Sequence, residues 1–105
     1  MWMKLAVQQG KLKYIKDLKD FTTQSYGFET RINAIKALKE LNYLDSETAG
    51  NIIKGYFYWN YKLVRVAKDA LIYFNQQSKY SKIINKYIRS RKLKNSDIKR
   101  LNNIL

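Results

Sequence analysis

The chain has 105 residues, which is the size of one domain, because domains typically contain ~100–150 residues. It contains no cysteine and no histidine, which excludes disulfides, thiolate nucleophiles, histidine bases and histidine-ligated zinc within this chain. The absence of proline removes the commonest helix breaker and favours helices. Lysine and arginine number 21 against 8 acidic residues, giving a formal net charge of +13.

The positive charge has two explanations. A basic chain is typical of proteins that bind nucleic acid. Alternatively, 45 of the 105 residues are Lys, Asn, Ile or Tyr, whose codons are rich in A and T, so genome composition would account for part of the lysine excess. The excess lies in the second half, because residues 1–53 hold 8 basic and 6 acidic residues, whereas residues 54–105 hold 13 basic and 2 acidic.

No stretch of the sequence has the length of a membrane span or of a signal peptide. The longest apolar runs, such as residues 56–59, are far shorter than the ~20 residues needed to cross a bilayer. The apolar part of residues 1–7 is too short for a signal peptide. We therefore expect a soluble chain with no membrane partner, and the compartment stays unknown.

Apolar residues recur with helical spacing through almost the whole chain, which predicts a single all-α domain over residues 1–105. The first helix is expected over about 2–20, with a break at Gly10, and residues 22–27 form a loop by their Ser, Thr and Gly content. Further helices are expected over about 29–42, 47–58, 61–76 and 79–92, followed by a short one containing Ile98, Leu101 and Ile104.

Polar residues ahead of these helices are expected to cap their first free amides. The expected caps are Asp45 or Ser46 for the third helix, Asn60 for the fourth, Ser78 for the fifth, and Asn95 or Ser96 for the last. The expected buried faces are Ala49, Ile52, Ile53, Tyr56 and Phe57 on the third helix, Leu63, Val66, Ala67, Ala70, Leu71 and Phe74 on the fourth, and Tyr80, Ile83, Ile84, Tyr87 and Ile88 on the fifth.

An internal repeat relates two helix pairs. A shift of 33 residues superposes Ala34, Ala37, Leu38 and Leu41 on Ala67, Ala70, Leu71 and Phe74. A shift of 31 residues superposes Ile52, Ile53, Tyr56 and Phe57 on Ile83, Ile84, Tyr87 and Ile88. One amphipathic pair cannot bury both of its faces, so repeated pairs stack on each other. The pattern predicts an α–α superhelix, a right-handed solenoid of about two and a half antiparallel helix pairs.

No residues have the spacing of a catalytic or metal site. Asp17 and Asp20 are three residues apart but are flanked by lysines, which is typical of a solvated helix face. The four glycines stand apart, and no carboxylates have metal-loop spacing. We therefore assign no catalytic, metal-binding or cofactor-binding residue to this chain.

The fifth predicted helix carries the strongest candidate for a binding surface. Four of its cations recur at i, i+3, i+7 and i+10, opposite its apolar residues, and no acidic residue lies between residues 76 and 94. Such a stripe could contact phosphates or an acidic partner. The alternative is a solvated outer face of a solenoid. The candidate residues are Lys79, Lys82, Lys86, Arg89, Arg91, Lys92 and Lys94.

Aromatic residues are concentrated at positions 56–61. Exposed rings beside cations can stack on bases. However, Tyr56 and Phe57 fall on the apolar stripe of the third helix, and Trp59 lies at a junction between helices, where a large ring commonly fills the interior. We therefore expect Trp59 to pack inside or between repeats.

Three segments resemble HEAT-like repeats, namely residues 29–38, the pair Trp59-Asn60, and residues 63–71. In that repeat class, an Arg followed by Ala and by Ala-Leu marks a helix that packs on its neighbour. More narrowly, residues 28–91 are similar to the C-terminal, armadillo-like helical region of zinc aminopeptidases of the aminopeptidase N type. The resemblance implies that this chain is the C-terminal fragment of a larger metallopeptidase, a hydrolase, and walls its peptide-binding chamber.

The same resemblance implies the partners. They are the upstream domains of the same parent protein and the parent's peptide substrate. The family's catalytic region holds zinc with two His and a Glu on one helix and anchors substrate with a Gly-Met-Glu stretch. Neither motif is present here, so zinc is implied only for the absent catalytic domain, and no catalytic residue is carried over. Because solenoid ends need capping, we expect an exposed apolar end at Trp2, Leu5 and Val7.

Two other functions remain open. One is a nucleic-acid-binding helical repeat protein, comparable to HEAT-fold DNA-repair glycosylases, that uses the basic helix over residues 79–92. The other is a protein–protein interaction scaffold that binds an acidic partner through the same cations.

Overall fold

The computed structural model describes residues 13–90 and 93–105, and all regular structure within these ranges is helical. The all-α prediction is therefore confirmed for the described residues. Residues 2–12 of the first predicted helix, including Trp2, Leu5 and Val7, lie outside these ranges. The described helices are residues 13–21 (α1), Phe28–Leu41 (α2), Ser46–Tyr56 (α3), Tyr61–Asn75 (α4), Ser78–Arg89 (α5) and Asn95–Ile104 (α6).

The helix α4 lies at the centre of the packing. It packs against α2, α3 and α5, and α3 also packs against α5. Each large apolar side chain that is buried between these helices contributes ~1.5–3 kcal/mol to the stability of the fold. The buried residues of α4 are Leu63, Ala67, Ala70, Leu71 and Phe74. This face agrees with the prediction, except that Val66 is only half-buried.

The buried faces of α3 and α5 also follow the predicted stripes. Ala49, Ile52, Ile53 and Tyr56 are buried on α3, with Phe57 half-buried at its end. On α5 the buried residues are Tyr80, Ile84 and Ile88, whereas Ile83 and Tyr87 are half-buried at the edge of the stripe.

Glycines let α3 approach its neighbours closely. A Cβ atom at Gly50 would lie only 2.7 Å from Cε2 of Tyr87, so α3 and α5 can meet here because Gly50 has no side chain. At Gly55 a Cβ atom would meet Leu63 and Ala67 of α4 at ordinary contact distance, the nearest atom being 3.5 Å away.

Two of the predicted caps are present. The Asn60 side chain accepts hydrogen bonds from the Lys62 and Leu63 amides at the start of α4. Asp45, not Ser46, caps α3: its Oδ1 accepts the Thr48 amide at 2.8 Å, and Thr48 Oγ1 accepts the Asp45 amide at 2.9 Å. This reciprocal pair is a capping box.

The other two predicted caps are wrong. Ser78 is the first residue inside α5, because the carbonyl of Gln77 already accepts the first helical hydrogen bond, from Ser81. Similarly, the carbonyl of Lys94 accepts the first bond of α6, so Asn95 and Ser96 lie inside that helix and do not cap it.

The Gln77 side chain instead joins the end of α2 to the start of α5. Asn42 ends α2 in the left-handed conformation, with φ 54°. Its side-chain amide exchanges two hydrogen bonds with that of Gln77, at 3.0 and 2.7 Å, and the Tyr80 hydroxyl donates to the Asn42 carbonyl. These bonds link residues far apart in the sequence.

Asp45 also connects α1 to α3. Lys19 Nζ lies 2.7 Å from Asp45 Oδ2 and 3.3 Å from Glu47 Oε2. Burial, the largest single influence, acts to raise the pKa of the Asp45 carboxyl. Hydrogen bonds from Lys19, Thr48 and Tyr43 outweigh it together and lower this pKa to about 2.

We expect Asp45 to make the fold acid-sensitive. Its pKa is lower in the folded chain than the ~3.9 of an unfolded Asp, so its contribution is complete above about pH 4 and is lost as pH falls through about 2. After allowance for solvent screening, protonation of Asp45 should lower the free energy of unfolding by roughly 1–2 kcal/mol. Asp45→Asn keeps a capping oxygen without the charge, so the free energy of unfolding should depend less on pH in this variant. Asp45→Ala also removes the cap and should be about 1 kcal/mol less stable than Asp45→Asn.

Urea unfolding followed by circular dichroism at a series of pH values measures these effects. Asp69→Asn serves as the control, because Asp69 is exposed and makes no ion pair with the described residues. An Asp45→Asn variant that retained the full acid destabilisation would contradict the assignment.

Candidate anion-binding surfaces

The predicted cations of α5 lie on its exposed side. Lys79, Lys82, Lys86 and Arg89, here called the basic face of α5, are all exposed, whereas the buried residues of this helix lie on the opposite side. The four positions extend over about 15 Å of helix, at 1.5 Å per residue. Lys94, just before α6, is also exposed, and Arg91 and Lys92 lie outside the described residues.

The basic face of α5 is not neutralised by neighbouring acids. Among the described residues, the ion pairs within 4 Å are those of Lys19 with Asp45 and Glu47, and none involves this face. Lys79 Nζ instead lies 4.6 Å from the ring centroid of Tyr80. The charges of α5 are therefore accessible to an external anion.

A second basic surface lies between α2 and α4 and was missed by the sequence analysis. The two helices form a groove whose N-terminal part has a volume of about 320 Å³ and whose C-terminal part includes a cavity of about 400 Å³. We call this the α2/α4 groove. Its N-terminal part is lined by Ile32, Lys36, Tyr61, Lys62, Arg65 and Val66, and its C-terminal cavity by Lys36, Lys39, Glu40 and Tyr73.

The two ends of the groove differ in charge. Lys36, Lys62 and Arg65 line the N-terminal part, and no acidic residue does. Farther along, Glu40 and Asp69 join the lining and balance Lys39. The cations of α2 and α4 are distant in sequence. The 33-residue repeat superposes α2 on α4 and aligns Ile32 with Arg65, which was a signal that these two helices lie side by side.

Trp59 is at the surface, which contradicts its predicted place in the interior. Its side chain is 76% exposed, and that of Tyr61 is 73% exposed. The physical reason is that α3 ends at Tyr56, two residues earlier than predicted, so that Trp59 lies in an exposed turn between α3 and α4. The Trp59 ring contacts Tyr58 and Phe28, with centroids 5.4 and 6.5 Å away.

Next to this turn lies a buried charge that makes no ion pair with the described residues. Arg31 is only 1% exposed, and its Nε and Nη2 atoms have no hydrogen-bond partner. Its Cζ atom lies 5.0 Å from the ring centroid of Tyr58. Burial lowers the pKa of Arg31 from its ordinary value, although an arginine stays protonated in a protein. Its position on the stripe of Ala34, Ile35 and Leu38 was a signal of this burial.

The described residues contain neither a metal-ligand cluster nor a membrane-spanning helix. Over 13–90 and 93–105, no three acidic side chains are close enough together to hold a metal ion. In the same part of the chain, no helix is both long and apolar enough to cross a membrane.

No family model, curated protein or solved structure matches the chain. The resemblance to zinc aminopeptidases therefore depends on the residues quoted above and stays a prediction.

We expect Arg31→Met to stabilise the isolated chain by about 1 kcal/mol or more, because methionine fills similar space without an unpaired buried charge. Urea unfolding measures the difference, and Arg65→Met is the matched control because Arg65 is exposed and its substitution should change stability little. A clear loss of stability in Arg31→Met would show that the guanidinium makes favourable contacts beyond those with Tyr58.

Proposed function

We propose that this chain is a non-catalytic α–α superhelical domain in which α2 and α3 form one repeat and α4 and α5 form the next, with α2 against α4 and α3 against α5. The register of the α2/α4 groove supports this most directly. Ile32 and Arg65, which differ by 33 residues, line the same part of the groove, and Lys39 lines its C-terminal cavities with Tyr73. The helices α2 and α4 therefore run side by side in the same direction, and α3 packs against α5. Equivalent helices of neighbouring repeats contact each other in this way in a solenoid.

Within this architecture, the function that we propose is that of the C-terminal, HEAT-like domain of a larger zinc aminopeptidase. Arg31, Ala34 and Leu38, which belong to a segment that carries the resemblance, lie on the buried side of α2. Asn60 of the Trp59-Asn60 pair caps α4. In such a protein the upstream domains would supply zinc and catalysis, and this chain would wall the chamber that admits the peptide.

We expect the reading frame to continue upstream of Met1 into a helix with two His and a Glu. The measurements are the upstream nucleotide sequence and the mass of the native protein. The full product should hydrolyse aminoacyl anilides in a zinc-dependent manner, whereas the 105-residue chain should not. A stop codon directly upstream, together with a native mass equal to that of this chain, would overturn the aminopeptidase proposal and leave the superhelix untouched.

A second candidate is a helical repeat protein that binds a polyanion through the basic face of α5. The observation in its favour is that these cations are exposed and have no acidic partner among the described residues. Their spacing along one side of the helix allows several phosphates of a duplex to be contacted at once. An acidic protein is the alternative occupant of the same face.

We expect duplex DNA to bind with a steep salt dependence that weakens when the basic face of α5 is neutralised. Changing Lys79, Lys82, Lys86 and Arg89 to Gln should reduce the slope of log K against log salt by about one unit for each phosphate that these cations neutralise. The control changes four exposed cations elsewhere to Gln, namely Lys13, Lys16, Lys54 and Lys99. Equal effects in both variants would mean that only net charge matters, and absent binding at low salt would remove the candidate.

A further inference from the structure

We propose that the N-terminal part of the α2/α4 groove, together with the exposed rings of Trp59 and Tyr61, is a binding site for single-stranded nucleic acid. This site is separate from the basic face of α5, and the proposal goes beyond both functions considered above.

The cations of the groove provide the first part of the argument. Lys36 approaches from α2, and Lys62 and Arg65 from α4, so positive charges lie on both sides of the same cleft. Packed helices have axes ~8–10 Å apart, which brings the two sides within reach of one phosphodiester chain. Glu29, in the first turn of α2, is exposed but does not line the groove. A cleft of this kind can track a nucleic acid backbone.

The exposed rings provide the second part. Tyr61, the first residue of α4, lines the groove beside Lys62, and Trp59 lies two residues earlier, in the turn before this helix. The contacts of Trp59 with Tyr58 and Phe28 support its ring from the protein side, although most of its surface stays open to solvent. The buried guanidinium of Arg31 lies 5.0 Å from the centroid of the Tyr58 ring, against which Trp59 packs. A supported, exposed aromatic ring is a platform on which a base can stack.

The combination favours a single strand over a duplex. In a duplex the faces of the bases are already stacked on each other, so an aromatic side chain cannot stack on them without unstacking a step. An unpaired strand offers each base face to a ring and its phosphates to the adjacent cations. An acidic peptide would use the cations but would leave the two rings without a matching planar partner.

The fluorescence of Trp59 provides the test. The chain contains two tryptophans, so Trp2→Phe leaves Trp59 as the only one. In this background we titrate with an oligothymidylate, with the matching duplex, and with polyglutamate. We expect the single strand to quench Trp59 fluorescence, and the duplex and polyglutamate to leave it nearly unchanged, because only an unpaired base can stack on the indole.

Variants locate the site. Binding of a labelled oligothymidylate, measured by anisotropy, should weaken about tenfold in Trp59→Leu and again in Tyr61→Leu, since stacking contributes ~1–3 kcal/mol per base. Lys62→Gln and Arg65→Gln should each lower the salt slope by about 0.7, the value for one phosphate contact of a single strand. The controls are Tyr26→Leu, which removes an exposed ring elsewhere, and Lys99→Gln, which removes an exposed charge of α6.

Three results would overturn the proposal. They are quenching by polyglutamate without quenching by the oligonucleotide, single-strand affinity that is unchanged in both Trp59→Leu and Tyr61→Leu, and a loss of affinity in Tyr26→Leu as large as in Trp59→Leu. Circular dichroism melting confirms that each variant is folded, and the exposed positions of both rings make loss of the fold unexpected. Neutralising the basic face of α5 should leave the quenching of Trp59 fluorescence by the single strand intact. The duplex-binding candidate can therefore fail while this proposal holds, and the reverse.

Discussion

The burial of the α4 apolar face against three other helices is the interaction on which the rest of the structure depends. Ala67 and Ala70 keep the helix axes close, and Leu71 and Phe74 fill the space between them. Since one side of α4 is committed to this core, its other side, with Lys62 and Arg65, is held along the edge of α2. The same helix therefore organises both the hydrophobic core and the cationic groove.

The partly buried Asp45 and the buried Arg31 differ in how the loss of contact with water is compensated. Asp45 accepts hydrogen bonds from Lys19, Thr48 and Tyr43, so its carboxylate is favoured in the fold and connects α1 to α3. Arg31 lies against the Tyr58 ring, and its Nε and Nη2 atoms have no hydrogen-bond acceptor. Desolvation without compensating hydrogen bonds is unfavourable. The unfavourable charge and the exposed rings thus lie at the same end of α2, which is where we propose that a ligand binds.

Prediction from sequence succeeded where local physics decides the outcome. Helical spacing gave the helices and most of their buried faces, and side-chain oxygens placed next to free amides gave the caps at Asp45 and Asn60. It failed at Ser78, where the Gln77 carbonyl starts the helix one residue earlier while the Gln77 side chain pairs with Asn42, a partner 35 residues away. It also failed at Trp59, because α3 ends two residues earlier than predicted and leaves Trp59 in an exposed turn before α4.

The sequence by itself determined that the described part of the chain is helical, that it lacks histidine and cysteine chemistry, and that cations crowd one side of α5, since these follow from composition and from spacing along one helix. Only the tertiary structure decided that Lys36 meets Lys62 and Arg65 across a groove, that Trp59 is exposed, and that Nε and Nη2 of Arg31 are buried without a hydrogen-bond partner. Those outcomes depend on which helices become neighbours and on where each turn ends. Contacts between residues that are distant in sequence determine both the neighbours of each helix and the ends of the turns. The pattern within a single helix does not predict such contacts.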